Sequence, residues 1–528
     1  FIELKEELKE KGYRFKTLTD TEVILAAYKE WGKNCLHRFN GDWAFVIYDS
    51  QKKELFGARD RFGIKPFYYH KDENKMIFAS EIKAIIPIIK DKIPNDKLIY
   101  EYLLYNRTDQ SHETFFKGII KLKHGHYFTL KERELTVKKW YDLKKSIKNK
   151  EALSYKSYRE KLKKAISIRL RSDVPLGVSL SGGIDSSSIT SIVYHDLNVH
   201  DIHTFSAIYG KDEWADESEF IDTYDNILKN MHFTNPSAET FYHDFEGFII
   251  AQGEPISSIG PYAQYKVMEL AKENVTVTLD GQGADEQLAG YHYFFGSYFK
   301  ELFTKLKLFR LAKEVIFYLL KHKSLLAIKY MLFYLSPNTL KQKIGTKVYD
   351  YVDGSFASKW EKKSTLGKDL YNPKSLNDSL IDHFEYKLEH LLKWDDLNSM
   401  HFSIESRVPF LDHHIVESTL PLKSRFKINN AETKFILRES VKEILPSKVY
   451  KRKDKKGFST PSDDWFRTPK FQNYICDLLA SDKFKKRGYF NVQKCQENYD
   501  KHLRGKINIS KDIWKWINLE VWFRNFID

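Results

Sequence analysis

Apolar positions along this chain follow two different rhythms, and the change between them divides it. Ile2, Leu4 and Leu8 lie among charges at helical spacing, which predicts a helix over Phe1–Lys11 stopped by Gly12. Thr19-Asp20 is placed to cap a second amphipathic helix that runs through Trp31, with Val23, Ile24, Ala27 and Tyr28 on one face. From Gly41 the period becomes two. Trp43 to Asp49 and Glu54 to Ala58 predict one hairpin, and Phe67 to Tyr69 with Met76 to Ala79 another. Short antiparallel strands with flanking helices predict a layered α/β domain over residues 1–150, closed by the Lys-rich stretch Lys144 to Lys150.

Beyond Leu153 strands alternate with helices. A helix over Tyr158–Arg171 leads to the apolar strand Leu176 to Leu180, then a glycine turn, another helix, the strand His203–Ile208 and later the strand Val275–Leu279. That alternation predicts a parallel sheet in a second domain, 151–528, which reads as mostly helical beyond Tyr291.

Chemistry concentrates in the turns after two of these strands. Ser181-Gly182-Gly183-Ile184-Asp185-Ser186-Ser187 combines glycines and small hydroxyls at a helix start, where backbone N–H groups can cradle an anion. It is not a Walker loop, because the GK[ST] ending is absent. Asp185 would repel phosphate unless a cation lay between them, so a magnesium ion bridging Asp185 to pyrophosphate is expected. Asp280-Gly281-Gln282-Gly283-Ala284-Asp285-Glu286 follows the later strand in the same way, which makes Asp285 the candidate second magnesium ligand. Both loops would emerge at the carboxyl ends of parallel strands, where ligands bind.

Composition narrows the class. With 528 residues, 42% hydrophobic, the chain can fill two or three domains, and disordered or collagen-like classes are excluded. The net charge of +14 suits anionic partners such as nucleotides or pyrophosphate, and equally a lysine-rich solvated surface. Cys35, Cys476 and Cys495 make neither a disulfide framework nor a zinc spacing, so a reducing, cytoplasmic location is expected. The most apolar stretch, Phe309 to Leu335, is interrupted by lysines and is expected not to span a membrane.

The two loops together resemble the synthetase domain of glutamine-hydrolysing asparagine synthetases, which are N-type ATP pyrophosphatases. Glu405 to Asp412 (ESRVPFLD) and Lys455-Lys456-Gly457-Phe458 add to the resemblance. Thr19 to Glu22, Phe39-Asn40-Gly41 and Arg59 to Pro66 resemble the family's class II glutaminase domain. The resemblance implies an Ntn-type αββα sandwich followed by an adenine-nucleotide-hydrolase-like parallel-sheet domain with a helical C-terminal part. It implies ATP and Mg²⁺ as cofactors, an acyl-adenylate, and small-molecule substrates without nucleic acid, with a homodimer as the candidate assembly. Residue by residue, Leu180, Ala207, Asp280 and Gly281 would hold adenosine, and Ser181, Gly182, Gly183, Asp185 and Ser186 the phosphates. Lys455 would neutralise the leaving pyrophosphate, unless it is merely part of the solvated run Lys451 to Lys456. Asp20 would hold the α-amino group of glutamine, unless it is a plain helix cap. Glu405 with Arg407, and the turn Arg59 to Gly63, read as structural ion pairs, while Asp395 or Asp396 is a candidate to approach the acceptor.

Two departures stand out. The glutaminase half of the family uses an N-terminal cysteine; this chain starts at Phe1, inside what reads as a helix, so further sequence is expected upstream. Gln282 stands where the family carries a glutamate at the ammonia-transfer step, and an amide cannot act as a general base. Lys455 and Gln282 are thus the candidate catalytic positions. The expected activity is ATP-dependent conversion of aspartate to asparagine; the alternative is amidation of another carboxylate, such as a sugar uronic acid in surface polysaccharide synthesis.

Overall fold

A computed structural model describes residues 1–147, 153–210, 213–337, 350–361, 363, 372–455 and 460–528. The end of the expected linker, residues 148–150, and Lys456-Gly457-Phe458 lie outside the described residues.

Seven strands alternate in the N-terminal part: Ala44–Asp49 (β1), Glu54–Arg59 (β2), Tyr68–Lys71 (β3), Met76–Ala79 (β4), Ile119–Lys121 (β5), His126–Lys131 (β6) and Glu134–Lys139 (β7). They form two antiparallel sheets, ordered β1-β2-β6-β7 and β4-β3-β5. The two-residue period decides what each face meets. Phe45, Ile47, Phe56 and Ala58 pack against Leu8, Val23 and Ala27 of the helices Ile2–Glu10 and Asp20–Trp31. Ala44, Val46 and Leu55 point the other way, into a cluster with Phe67, Tyr69 and Phe128 between the sheets. Gly57 is required there, since a Cβ would lie 2.1 Å from Cε1 of Phe128. The helix Asp96–Tyr105 covers the far sheet through a core that includes Tyr68. The layers are therefore helix, sheet, sheet, helix. Both predicted hairpins are present; β5, β6 and β7 complete the sheets.

The second sheet system is parallel. Leu176–Ser179 (β8), His203–Ala207 (β9), Asn230–Thr234 (β10), Val277–Leu279 (β11) and Glu405–Arg407 (β12) lie in the order β10-β9-β8-β11-β12. The chain builds outward from β8 in one direction, then returns to its other side with β11. That reversal is a topological switch point, and the two glycine-rich loops leave the adjacent strands β8 and β11 on either side of it. The helix entering β8 spans Tyr155–Arg169 and starts at a capping box, in which Ser154 Oγ accepts from Ser157 N at 3.1 Å and Ser157 Oγ from Ser154 N at 2.9 Å. Among the described residues beyond Tyr291 the elements are helices apart from the strand β12, which closes the sheet edge.

Candidate active site

Local backbone demands explain both loops. Gly182 has φ +65°, and a Cβ would come within 2.8 Å of Phe220 Cβ, so only glycine fits. Ser186 Oγ accepts from Ser181 N at 3.1 Å and donates to Gly183 O at 3.2 Å, which pins the loop at the start of the helix Ile184–Ser191. In the second loop Gly283 has φ +87°, and a Cβ there would meet Leu411 Cδ2 at 2.3 Å. Gly281 lets the loops touch: its missing Cβ would lie 3.0 Å from Asp185 Cβ and 3.4 Å from Ser186 N.

Their close approach puts two carboxylates on two ammonium groups. Lys434 Nζ lies 2.5 Å from Asp185 Oδ2 and 2.6 Å from Asp285 Oδ1. Lys455 Nζ lies 2.8 Å from Asp285 Oδ2 and 4.0 Å from Asp185 Oδ2. The Lys434 side chain is buried, whereas that of Lys455 is 31% exposed. Burial alone would raise the Asp285 pKa, but Lys434 and Lys455 outweigh it and hold the carboxyl at about 2. Burial likewise works against the Lys455 ammonium, and Asp285 with Asp185 overcomes it, keeping the lysine charged. The arrangement is neutral as it stands. It can receive a polyanion only if cations exceed carboxylates locally, which a hard divalent ion on the aspartates would achieve. The donor set fits such an ion: Asp185 Oδ1 is buried and accepts no hydrogen bond from any described residue.

Beside this cluster is a cavity of about 290 Å³. Leu180, Ser181, Asp185, Ser186 and Ala207 line one side, and Asp280, Gly281, Gln282, Asp285 and Lys455 another. Ser257, Ser258, His390 and Trp394 continue the wall. On the far side of the lysines a smaller pocket of about 40 Å³ is cationic, lined by Lys321, Lys434, Arg438, Arg452, Lys453 and Lys455 with the helix start at Gly183.

Comparison with known proteins agrees with this layout. The asparagine synthase family model matches residues 157–524, and the glutamine amidotransferase domain model matches residues 1–141. The chain belongs to the asparagine synthase family. Asparagine synthetase [glutamine-hydrolyzing] 1 of Bacillus subtilis is 28% identical over 99% of this chain and 83% of its own length. Putative asparagine synthetase [glutamine-hydrolyzing] 2 of Methanocaldococcus jannaschii is 36% identical over 58% of this chain and 60% of its own. Amidase chry2 of Gibberella zeae is 27% identical over 92% and 79%. Members of the asparagine synthase family are ATP-dependent ligases that take nitrogen from glutamine, and this chain is such an enzyme.

Within the family frame, most of the expected positions converge on the large cavity, with three exceptions. Gly182 packs on Phe220, and Gly183 lines the small cationic pocket. Asp20 is exposed in the first turn of its helix, outside both cavities. The capping expected of Thr19-Asp20 is not made: neither side chain caps, and Glu22 instead accepts from the backbone N–H groups of Lys16 and Thr17. Leu180 lines the cavity, but its N–H donates to Phe205 O and its carbonyl accepts from Ser206 Oγ, which restricts what its backbone can offer a ligand. Arg407 and Glu405 pair at 2.8 Å at the surface. Asp60 accepts from the N–H groups of Phe62, Gly63 and Ile64, which makes the turn after β2 structural.

Sequence reasoning overlooked Lys434, Ser406 and Glu286. Ser406 Oγ stands 3.0 Å from Asp280 Oδ2 and 2.7 Å from Asp395 Oδ2. One hydroxyl carries one proton, so the second contact needs a proton on a carboxyl. Asp395 holds it: burial, and then Asp280, push its pKa far up. Asp396 instead pairs with Lys65 at 2.8 Å. Glu286 accepts from Tyr291 Oη at 2.7 Å, and burial, aided by Asp285, raises it to about 7.

Proposed function

We propose that this enzyme adenylates a carboxylate and then replaces AMP with ammonia. A carboxylate oxygen attacks the α-phosphorus of ATP, the bond to the β-phosphate oxygen breaks, and pyrophosphate leaves. Ammonia next attacks the acyl carbonyl, AMP departs with the bonding electron pair, and the surplus proton passes to solvent. One observation carries the reading: the switch-point loops bring Asp185 and Asp285 together beside Lys434 and Lys455, and Asp185, Asp285 and Lys455 line one cavity. Asp185 and Asp285 would hold Mg²⁺, which supplies positive charge to the phosphates. Lys455 and Lys434, freed from the aspartates, would face the negative charge that develops on the leaving group. The small cationic pocket behind them suits pyrophosphate. Ser181, Ser186 and the N–H groups at Gly183 would cradle the phosphates, and Asp280, Gly281, Leu180 and Ala207 would flank adenosine. Asp20 would serve the glutamine α-amino group in the amidotransferase half. Three free cysteines suit the cytoplasm.

Aspartate is the acceptor we assign first, giving asparagine. A second acceptor class, a sugar uronic acid, is favoured by one feature: Gln282 gives the cavity wall a neutral amide. ATP–pyrophosphate exchange separates the cases. Aspartate-dependent exchange establishes the first, and exchange driven only by a uronic acid establishes the second. Exchange that survives Asp185→Asn undiminished would overturn the site itself.

A further inference from the structure

We propose that the helical hairpin made by Leu308–His322 and Leu326–Leu335 docks this protein on an anionic lipid surface. The first helix is apolar on its outer as well as its inner side, where Leu311, Val315 and Phe317 pack on the core. Its buried side carries Glu314 and Tyr318, while the outward positions Phe309, Ile316 and Leu320 fall at helical spacing along one stripe. Phe309 is 98% exposed and Leu320 71%. Leu306, 80% exposed, precedes this helix, and Leu325, just before the second helix, and Leu332 within it are each 58% exposed. Of the large apolar side chains exposed among the described residues, eleven lie between Phe303 and Leu335. Scattered single residues of this kind need no explanation, but a clustered stripe does.

Charge selects the occupant. From Phe303 to Pro337 the sequence has seven lysines and arginines and a single acid, Glu314. That acid is turned inward, accepting from the N–H groups of Asn430 and Ala431 at 3.1 and 2.9 Å. The outward face therefore mixes Phe, Ile and Leu with Lys313 and Lys323 and shows no carboxylate of its own. An apolar stripe flanked by lysines, on helices too short and too charged to cross a bilayer, suits lying in the headgroup plane. A second copy would bring lysines against lysines, which disfavours self-association through this face. The inner side is anchored independently of any ligand, through Gly296, whose missing Cβ would lie 2.4 Å from Tyr330 Cβ.

The test is co-sedimentation of the full 528-residue chain with vesicles of phosphatidylcholine alone, or with one third phosphatidylglycerol, at low and high salt. Binding is expected to the anionic vesicles, weakening with salt. The triple variant Phe309→Ser, Ile316→Ser, Leu320→Ser should bind at least ~10-fold more weakly, with its melting curve unchanged because those side chains support no core. Lys313→Glu with Lys323→Glu, which leaves the apolar stripe intact, should lose about 5-fold for each charge removed. Absence of binding to anionic vesicles at low salt overturns the proposal. So does equal binding to neutral vesicles, or binding that both variants retain. A soluble dimer that the triple variant dissociates would overturn it in favour of a second copy.

Discussion

Replacing Lys434 with Met tests the charge arrangement at its centre. The ammonium bridges Asp185 and Asp285 at 2.5 and 2.6 Å with its side chain buried. Removing it leaves two buried carboxylates sharing Lys455, which lies 4.0 Å from Asp185 and is partly exposed. Breaking a buried ion pair costs about 3–5 kcal/mol. With Lys455 still bound to Asp285 the lower end applies, about 3 kcal/mol, which in a chain of this length corresponds to a fall of roughly 3–4 °C in Tm. The deficit is electrostatic, so a divalent cation that binds both carboxylates should reverse it. At a hundred times its Kd, Mg²⁺ returns about 2.7 kcal/mol, nearly the whole loss. In the unaltered protein the ion must first displace an ammonium group, and the gain should be smaller. Melting curves in EDTA and in saturating Mg²⁺, for both proteins, give the four numbers required. An unchanged Tm in EDTA would mean that Lys434 is not the counter-ion. Equal Mg²⁺ responses in the two proteins would mean that the aspartates are not the metal ligands.

Asp185→Asn should lower ATP–pyrophosphate exchange by on the order of 10²-fold while the melting curve stays within a few degrees, measured by exchange and calorimetry together. Gly290→Ala should cut exchange by at least ~10-fold, because its Cβ would lie 1.6 Å from Asp285 Oδ1 and 2.5 Å from Lys434 Cε, displacing both groups. Lys427 is fully buried among Asn377 Oδ1 and the carbonyls of Leu420 and Leu422, and burial lowers its pKa from 10.5 to about 7. In that window the unfolded chain holds the extra proton, so folding stability rises with pH from about 7 to 10.5, by about 1.4 kcal/mol per pH unit. Lys427→Met removes the slope, so the stability of the unaltered protein relative to the variant should rise from pH 7 toward pH 10.5; a difference that stays constant with pH would refute the assignment.

The elements that could be read in the sequence were those whose burial is written in strong periodicity. β1 to β4 and the strands β8, β9 and β11 show alternation or compact apolar runs, and the two glycine loops follow strands directly. β10 (Asn-Met-His-Phe-Thr) and β12 (Glu-Ser-Arg) carry no such signal, because sheet edges bury little and these strands are short. The site divides in the same way. Asp185 and Asp285 sit inside local motifs, so their neighbours betray them. Lys434 approaches from a turn with φ +54° about 250 residues away from Asp185, and nothing adjacent to it in sequence marks it. Ser406 lies between Glu405 and Arg407, whose charges mask an uncharged hydroxyl in the sequence. In a strand the residues on either side of a buried position face outward, and Glu405 and Arg407 accordingly pair at the surface while Ser406 reaches Asp280 and Asp395.

The wall of the cavity is tied to the N-terminal sheets by charges. Arg59, Glu389, Lys121, Asp109, Lys393 and Glu254 form a chain of alternating sign with links of 2.5, 3.3, 3.1, 3.3 and 2.6 Å, and none of the six side chains is more than 7% exposed. Three positive and three negative groups cancel, so the chain is tolerable in a dry interior where an odd member would not be. Lys121 and Lys393 prevail over burial and hold the Asp109 carboxyl at about 2, so this contribution is complete above pH 3.8 and fades only as pH falls toward 2. Apolar surfaces could have joined the same elements with as much stability, but they can slide; a chain of paired ions permits one register. Register matters at these two attachment points. Glu389 and Lys393 lie on the helix Leu388–His401, whose His390, Leu391 and Trp394 line the large cavity and whose Asp395 meets Ser406. Glu254 also accepts from Phe115 N at 2.7 Å, just before the segment that contributes Ser257 and Ser258 to the same wall. The ion chain therefore ties the N-terminal sheets to two walls of the large cavity, through the helix Leu388–His401 and the segment after Glu254.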